Sequence, residues 1–385
     1  MIINTDYEDF ITQQYHKEPD LKKKSFQEQY TARMNTLFGT ADFFSTEFKK
    51  LGHDAWDIIY NHPYLQKQWA MENCPSVFYL DTLSSLKKNS LSNRFARAVF
   101  KKTVEKMWFD AVLEAQIKYF QPTVIYNMAM ESISYDFLKT VKKRNPSIML
   151  IIGQHAAPIT PSMENLSCYD LILSSLPNLV NYFRTKGIKS AYFKLAFGGY
   201  PILAKLEKRR NQNDIIFIGS IGESHSERVN LIEKIAEAVP QFKLWGIINK
   251  NLPPSSPIKA RYQGGPLFGL AMYNEIANSK IVFNAHLDIA EDYANNMRLY
   301  EATGCGSLLL TDHKKNVYEM FDQNEIVTYT DVQESIQKIK YLLKNKELRE
   351  NIARVGQKRV LKEHLWSHRI EEFIGLVTEE LQHAT

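Results

Sequence analysis

The sequence predicts an α/β protein built from two Rossmann-like, doubly wound domains that face one another across a cleft. Three observations carry that prediction. Apolar runs of strand length alternate with helical patterns along the chain, the signature of parallel sheets wrapped by helices. With 385 residues the chain exceeds what a single hydrophobic core usually holds, so two domains are the natural division. Finally, Gly198, Gly199 and Pro201, followed by the charged run Lys205 to Asn213, have the composition of a hinge and linker, after which the alternation restarts.

Residues 1–200 form the predicted first domain. They read as helix Ala41 to Leu51, strand Ala55 to Tyr60, strand Thr123 to Asn127, helix Ser132 to Arg144 and strand Ser147 to Ile152. Strand Tyr169 to Ser174, helix Leu176 to Lys186 and strand Ser190 to Phe197 complete it. The region from His62 to Gln121 is helical in pattern and interrupts the alternation, as an insertion would. Residues 201–365 form the second predicted domain. Strand Asp214 to Ile218, Gly219, a polar loop and helix Glu227 to Ala238 open it, and strands near Lys243 to Trp245, Ile281 to Asn284, Ser307 to Thr311 and Glu325 to Tyr329 continue its sheet. Helices Val332 to Leu343 and Lys346 to Glu363 follow, and residues 366–385 form a last amphipathic helix ending near Leu381.

Composition narrows the class. With 44% hydrophobic and 24% charged residues this is an ordinary folded protein. Cys74, Cys168 and Cys305 lie far apart with no C-x-x-C spacing, so neither a zinc site nor a disulfide framework is expected, and a reducing cytoplasm is the simplest home. Met1 to Asp20 carries Asp6, Glu8 and Asp9 among its apolar residues, unlike a secretory signal. No stretch approaches the roughly 20 uninterrupted apolar residues of a membrane-spanning helix.

The net charge of +5 is densest between Leu86 and Lys106, where seven basic residues surround Leu91, Phe95, Val99 and Phe100 and only Glu105 opposes them. A solvated helix packed by its apolar stripe is the first reading, and a basic amphipathic helix in peripheral contact with anionic membrane is the second. Nucleic acid is not an expected partner, because no aromatic-basic interleaving or recognition motif appears. There is no Asp-x-Asp, G-x-G-x-x-G, G-x-x-x-x-G-K-[ST] or G-x-S-x-G motif. His364 and His368 lack the glutamate of H-E-x-x-H and are expected on a helix surface, and no metal site is expected.

The most informative block is residues 298–312, Arg-Leu-Tyr-Glu-Ala-Thr-Gly-Cys-Gly-Ser-Leu-Leu-Leu-Thr-Asp. It reads as a short helix carrying Glu301, a glycine turn at Gly304 and Gly306, and a buried strand of Leu308, Leu309 and Leu310. A carboxylate fixed just before a glycine turn can accept hydrogen bonds from a vicinal diol such as a nucleotide ribose, and Arg298 one turn earlier can face a phosphate. The bland reading is a surface i,i+3 ion pair between the two, worth only ~0.2–0.5 kcal/mol.

This block resembles the Glu-Ala-x-x-x-Gly donor-binding signature of the group 1 glycosyltransferases, with Cys305 and Gly306 where that family often has Cys-Gly. From Asp214 to Arg369 the chain resembles the glycosyltransferase group 1 domain of spore-maturation-type proteins, and the first half resembles that fold loosely. The resemblance implies the glycosyltransferase-B fold, in which the last helix returns to the first domain. It also implies roles for particular residues. The element Ile215 to Ser220, up to Arg228, looks like the family's first phosphate-side loop. Gly219 and Ser220 would let backbone approach the ligand, the helix N-terminus near Ser224 or Ser226 would present N–H groups to a diphosphate, and Arg228 would add positive charge. Ordinary helix capping accounts for the same residues. Gly304 belongs to the donor signature. Many relatives place a second Glu eight residues before the first; here that position is Tyr293, and Arg298 with Asn295 and Asn296 would hold phosphate or sugar hydroxyls instead.

In the first domain, strand Ser147 to Ile152 ends in Gly153-Gln154-His155-Ala156-Ala157-Pro158, which places an imidazole at the carboxyl end of a parallel strand, the edge where open α/β sheets bind ligands. Relatives often carry a His there, as a base in inverting enzymes or a positioning group in retaining ones. A satisfied structural His is the competing reading. Glu131 is a second acceptor-side carboxylate, equally explained by pairing with a helix N-terminus.

The resemblance therefore implies a glycosyltransferase that moves a sugar from a nucleotide-diphosphate donor to a saccharide or lipid-linked glycan, as in bacterial surface polysaccharide or glycoconjugate synthesis. The second domain would grip the donor and the first would receive the acceptor. No metal and no cofactor beyond the donor are expected, and retention of configuration is implied by the resemblance alone. A nucleotide-sugar epimerase or hydrolase, or a two-domain saccharide-binding protein without chemistry, are the alternatives.

Overall fold

A computed structural model describes residues 1–78, 94–160, 166–207, 212–222 and 226–384, without the side chains of 94–102, 226, 383 and 384. Residues 86–93 of the basic stretch, and Ser224, lie outside the described residues. The first sheet has six strands: β1 (Ile2–Asn4), β2 (Asp57–Ile59), β3 (Val124–Asn127), β4 (Leu150–Gln154), β5 (Leu171–Ser174) and β6 (Ser190–Tyr192). Their spatial order is β2-β1-β3-β4-β5-β6, and every pairing is parallel. The second sheet comprises β7 (Asn213–Ile218), β8 (Phe242–Trp245), β9 (Tyr262–Gly264), β10 (Ser279–Asn284), β11 (Leu308–Asp312) and β12 (Val327–Tyr329). Its order is β12-β11-β10-β7-β8-β9, again parallel throughout.

Because parallel sheets are covered on both faces, their strands are apolar runs, and the triplet Leu308, Leu309 and Leu310 of β11 is fully buried. In each sheet the order reverses once, between β1 and β3 and between β7 and β10, and it is at such switch points that adjacent loops diverge and leave a crevice. Three elements escape the sequence pattern. Strand β1 is only three residues long, β9 is a three-residue edge strand, and helix Gly269–Ala277 begins at a glycine. The helical stretch after β2 contains Pro63–Asn73 and Arg94–Phe120, and it forms the crossover from the edge strand β2 over β1 to β3.

The chain crosses between the domains twice, and the two crossings bond to each other. Phe197 N–H donates to the His364 carbonyl at 2.8 Å, and Trp366 N–H donates back to the Phe197 carbonyl at 3.2 Å. His364 is therefore not on a helix surface, because the helix Lys346–Glu363 ends at the crossing. His364 is buried there, its Nε2 lies 2.8 Å from the Met320 carbonyl, and Arg369 Nη2 meets its Nδ1 at 3.0 Å. An Arg can only donate, so Nδ1 accepts and Nε2–H donates, which holds the ring in one neutral tautomer. Burial lowers its pKa to about 4, with the nearby Arg369 and Arg359 charges acting in the same direction against the Met320 hydrogen bond. His368 caps the next helix, where its Nδ1 accepts from Leu365 N–H at 3.2 Å.

That last helix, Trp366–Ala384, returns to the first domain as the resemblance implies. It packs on helix Phe43–Lys50, with Trp366 against Phe44 at 4.7 Å and Phe373 against Phe48 at 5.5 Å and Tyr126 at 4.7 Å. One apolar cluster runs unbroken from Phe44 and Tyr126 in the first domain through Phe197 and Trp366 to Leu299 and Tyr300 in the second. A second contact between the domains closes around Phe268, whose ring sits 5.6 Å from Phe10 and 4.9 Å from Phe38. Gly269 follows it with φ +52°, and a Cβ there would lie 2.0 Å from the Thr36 carbonyl oxygen, so only glycine permits this approach. No helix among the described residues is long and apolar enough to cross a membrane.

Trp366→Ala removes a buried side chain that both domains touch, and we expect it to cost about 3–5 kcal/mol and lower the thermal midpoint measured by differential scanning fluorimetry. An unchanged midpoint would mean that the last helix contributes little to the docking of the domains.

Candidate functional site

Between the switch points of the two sheets lies a cleft of about 450 Å³. Tyr7, Ser175 and Leu195 line it from the first domain, and Gly219, Arg228, His286, Asn296, Arg298 and Glu301 line it from the second. Of the residues singled out in the sequence, the structure thus gathers Gly219, Arg228, Asn295, Asn296, Arg298 and Glu301 around one space.

Glu301 is on helix Met297–Gly304, almost every residue of which is buried. Its Oε2 meets Arg298 Nη1 at 2.8 Å, and the side chains of both are largely withdrawn from water, at 8% and 14% exposure. The i,i+3 pair exists, then, but not as a surface pair, and the small value for solvated pairs does not apply to it. Burial raises the Glu301 pKa, and the Arg298 charge opposes that rise. Arg298 also donates through Nη2 to the Ile218 carbonyl at 3.2 Å, which ties the helix to the end of β7.

Arg228 comes from helix Ser226–Ala238. Its Nη1 donates to the Ser220 carbonyl at 3.3 Å, its Nη2 donates to the Ala285 carbonyl, and the guanidinium lies 5.9 Å from the centre of the Phe217 ring. Burial lowers its pKa while the charges of Asp312, Tyr329 and Asp288 oppose that shift, and an arginine so placed keeps its positive charge. Ser220 acts through its carbonyl, which holds Arg228, and does not line the cleft. Gly219 does line it, and its carbonyl oxygen touches the next loop: Gly246 has φ +139°, and a Cβ there would stand 1.9 Å from that oxygen.

Asn296 exchanges amide hydrogen bonds with Asn284, donating to its Oδ1 at 3.0 Å, so it is fixed by the end of β10. Asn295 is committed to the domain junction. Its Oδ1 accepts from Tyr300 at 3.0 Å and from Leu195 N–H at 3.4 Å, and its Nδ2 donates to Tyr192 at 3.3 Å. Gly304 does not reach the cleft. It is the last residue of its helix, and a Cβ there would lie 2.6 Å from the Phe197 ring, so the absence of a side chain lets the helix pack on the crossing.

His155 sits outside this cleft, in an adjoining cavity of about 310 Å³ that shares Ala156 with it. Glu131, Asn4, Thr5 and Gln154 line the same cavity, so the two candidate acceptor-side residues are brought together. Burial lowers the His155 pKa, while the backbone at Ala157 and Pro158 and the Glu131 charge act the other way.

Sequence reasoning missed polar groups of the cleft, among them His286 and Tyr7. His286 stands two residues beyond β10, and its Nδ1 lies 2.7 Å from Asp312 Oδ1 at the end of β11. The signal was available, because a His just past an apolar strand is what singled out His155. Tyr7, two residues beyond the missed strand β1 and its Asn4-Thr5 turn, was invisible for want of that strand.

Residues 228–375 match the family model described as glycosyl transferase-like. No curated protein matches the chain. Among solved structures, a glycosyltransferase from Rickettsia africae superposes with a TM-score of 0.55 at 13% identity, covering 91% of this chain and 95% of that one. The Anabaena protein HepE, solved with UDP-glucose, gives 0.51 at 11% identity over 70% of this chain and 82% of its own. The same protein with UDP and glucose gives 0.52 at 10% identity.

Arg298→Met should strand Glu301 as a buried carboxylate without its partner and destabilise the protein by about 3 kcal/mol, whereas Arg298→Met combined with Glu301→Gln should recover most of the loss in thermal melts. Equal destabilisation by the single and double changes would show that the pair is not coupled.

Residues 228–375 thus match the glycosyl transferase-like family model, and the chain as a whole has the two-domain glycosyltransferase-B fold.

Proposed function

We propose that the protein transfers a glycosyl group from a nucleotide-diphosphate sugar to a saccharide or glycoconjugate acceptor. The observation that carries this reading is the buried Arg298–Glu301 pair on the floor of the cleft, within the segment matched as glycosyl transferase-like. Glu301 would accept hydrogen bonds from the nucleotide ribose. Arg298 and Arg228 would face the diphosphate, whose negative charge grows as the glycosyl bond breaks. Two guanidiniums on side chains largely withdrawn from water would supply that stabilisation, so the reaction as proposed needs no metal.

The acceptor would enter from the neighbouring cavity, where His155 and Glu131 can orient its hydroxyl group. The donor cleft and this cavity adjoin at Ala156, which suits a transfer between them. Movement about the paired crossings at Phe197 and Leu365 would open and close the cleft and exclude water from the activated sugar. The likeness of the fold to a protein solved with UDP-glucose supports UDP-sugars as the first donors to try. Retention of configuration, the spore-maturation-type affiliation, and work on a lipid-linked glycan at the inner face of the cytoplasmic membrane extend the proposal. The basic stretch 86–106 is compatible with that last location.

The test is product analysis with a panel of nucleotide sugars, with and without acceptor glycans. Glycoside formation is expected, and Glu301→Gln or Arg298→Ala should each lower kcat/KM about 10²–10³-fold. Nucleotide release without a new glycoside would point to a hydrolase, and full activity in both variants would remove these residues from the donor site.

A further inference from the structure

The cleft holds one titratable group to which the reading above gives no task. His286 is buried, with its side chain 2% exposed, and it lines the cleft beside Arg228 and Asn296. Asp312 fixes one side of its ring. Oδ1 of Asp312 lies 2.7 Å from Nδ1, accepts the His286 backbone N–H at 3.1 Å, and accepts the Thr311 hydroxyl at 3.2 Å. A carboxylate with these neighbours is an acceptor, so the proton on Nδ1 is assigned to the imidazole. The other ring nitrogen, Nε2, is buried and makes no hydrogen bond. Arg228 Nε is in the same state, and Nη2 of that arginine holds the carbonyl of Ala285, the residue next to His286.

With Nδ1–H committed to Asp312, a neutral ring presents a bare lone pair at Nε2, which repels a phosphate oxygen. Protonation turns Nε2 into a charge-assisted donor. Charged and titratable groups of both signs face this pair from several elements. Asp312 stands at the end of β11, Arg228 comes from helix Ser226–Ala238, Lys314 Nζ is 3.5 Å from Asp312 Oδ2, Asp288 lies on the same loop as His286, and Tyr329 of β12 donates to the Asn284 carbonyl at 2.9 Å. A dianionic ligand held against Arg228 brings negative charge beside the ring, and a nearby anion favours a protonated imidazole.

We propose that His286, positioned by Asp312, is a direct, proton-linked contact to the donor's diphosphate: the anion binds and Nε2 takes up a proton together. This rests on the reading of the cleft as a nucleotide-diphosphate site, and it adds a third cationic group to Arg228 and Arg298. Because Nε2 is closed off from water, the contact requires the loop between β10 and helix Met297–Gly304 to shift as the anion enters.

The experiment uses the full chain and inorganic pyrophosphate as the probe, with affinity measured by calorimetry from pH 6 to pH 8.5 for the wild type, His286→Gln and Arg228→Ala. Ratios to the wild type at each pH remove the part of the pyrophosphate titration that the three proteins share. The expected result is binding to His286→Gln about tenfold or more weaker than wild type at pH 6, with the gap closing towards pH 8.5. If His286→Gln does not fold, Asp312→Asn, which removes the carboxylate that favours the imidazolium, should weaken pyrophosphate binding at pH 6 more than at pH 8.5. Parallel wild-type and His286→Gln profiles, or parallel wild-type and Asp312→Asn profiles in that second case, with binding still lost in Arg228→Ala, would overturn this inference and leave the diphosphate site standing. Failure of the wild type to bind pyrophosphate at any pH would overturn both.

Discussion

Everything at the cleft depends on the double chain crossing at Phe197 and Leu365. Two segments far apart in sequence meet there in a parallel bridge, close-packed between the sheets, and the apolar cluster around them belongs to both domains at once. The crossing sets how the two sheets confront each other, and hence that the carboxyl ends of both point into one space. Gly304 shows how tightly this is drawn, since a single added carbon would strike the Phe197 ring. The glycine that belongs to a donor-binding signature in sequence lets helix Met297–Gly304 settle against the crossing, while the preceding turns of the same helix carry Glu301 and Arg298 into the cleft.

The contact around Phe268 is the counterpart of the crossing on another edge. Phe10, Phe38 and Tyr7 receive that ring, and Arg33 lies over Phe10 and Phe38 at 5.4 and 5.8 Å. Arg33 is itself tied to Asp6 by a buried bidentate pair, with Nε to Oδ2 at 3.0 Å and Nη2 to Oδ1 at 2.5 Å. Asp6 and Tyr7 lie on the loop that leaves β1, so the same network that receives the second domain also shapes the first-domain wall of the cleft. The domains are thus joined by a hydrogen-bonded crossing at one place and an aromatic plug at another, and changes at Phe268 are placed to alter the opening of the cleft without touching its chemistry.

Much of this was legible in the sequence, for identifiable reasons. Strand runs such as Ile215 to Ile218 and Leu308 to Leu310 are buried on both faces and so are written in apolar residues, and the helix Lys346–Glu363 has the bounds its pattern predicts. The block around Glu301 declared itself because a carboxylate, an arginine and glycines sat at fixed spacing. What the sequence hid was set by contacts distant along the chain. Strand β1 is too short to show a period, yet it lies at the switch point of its sheet. The pairing of His286 with Asp312 joins residues 26 positions apart. His364 looked like a surface residue because nothing local reveals that its helix ends at a domain crossing.

The central claim is that Glu301 and its arginine neighbours grip a nucleoside diphosphate. Thermal-shift titration of the wild type and Glu301→Ala against UDP, GDP, ADP, CDP and dTDP tests it most directly, since a ligand that binds the native state raises its stability as RT ln(1 + [L]/Kd). The account predicts a selective stabilisation by one diphosphate that is lost in Glu301→Ala. A wild-type protein that responds to none of them, or a Glu301→Ala variant that responds as the wild type does, would contradict it.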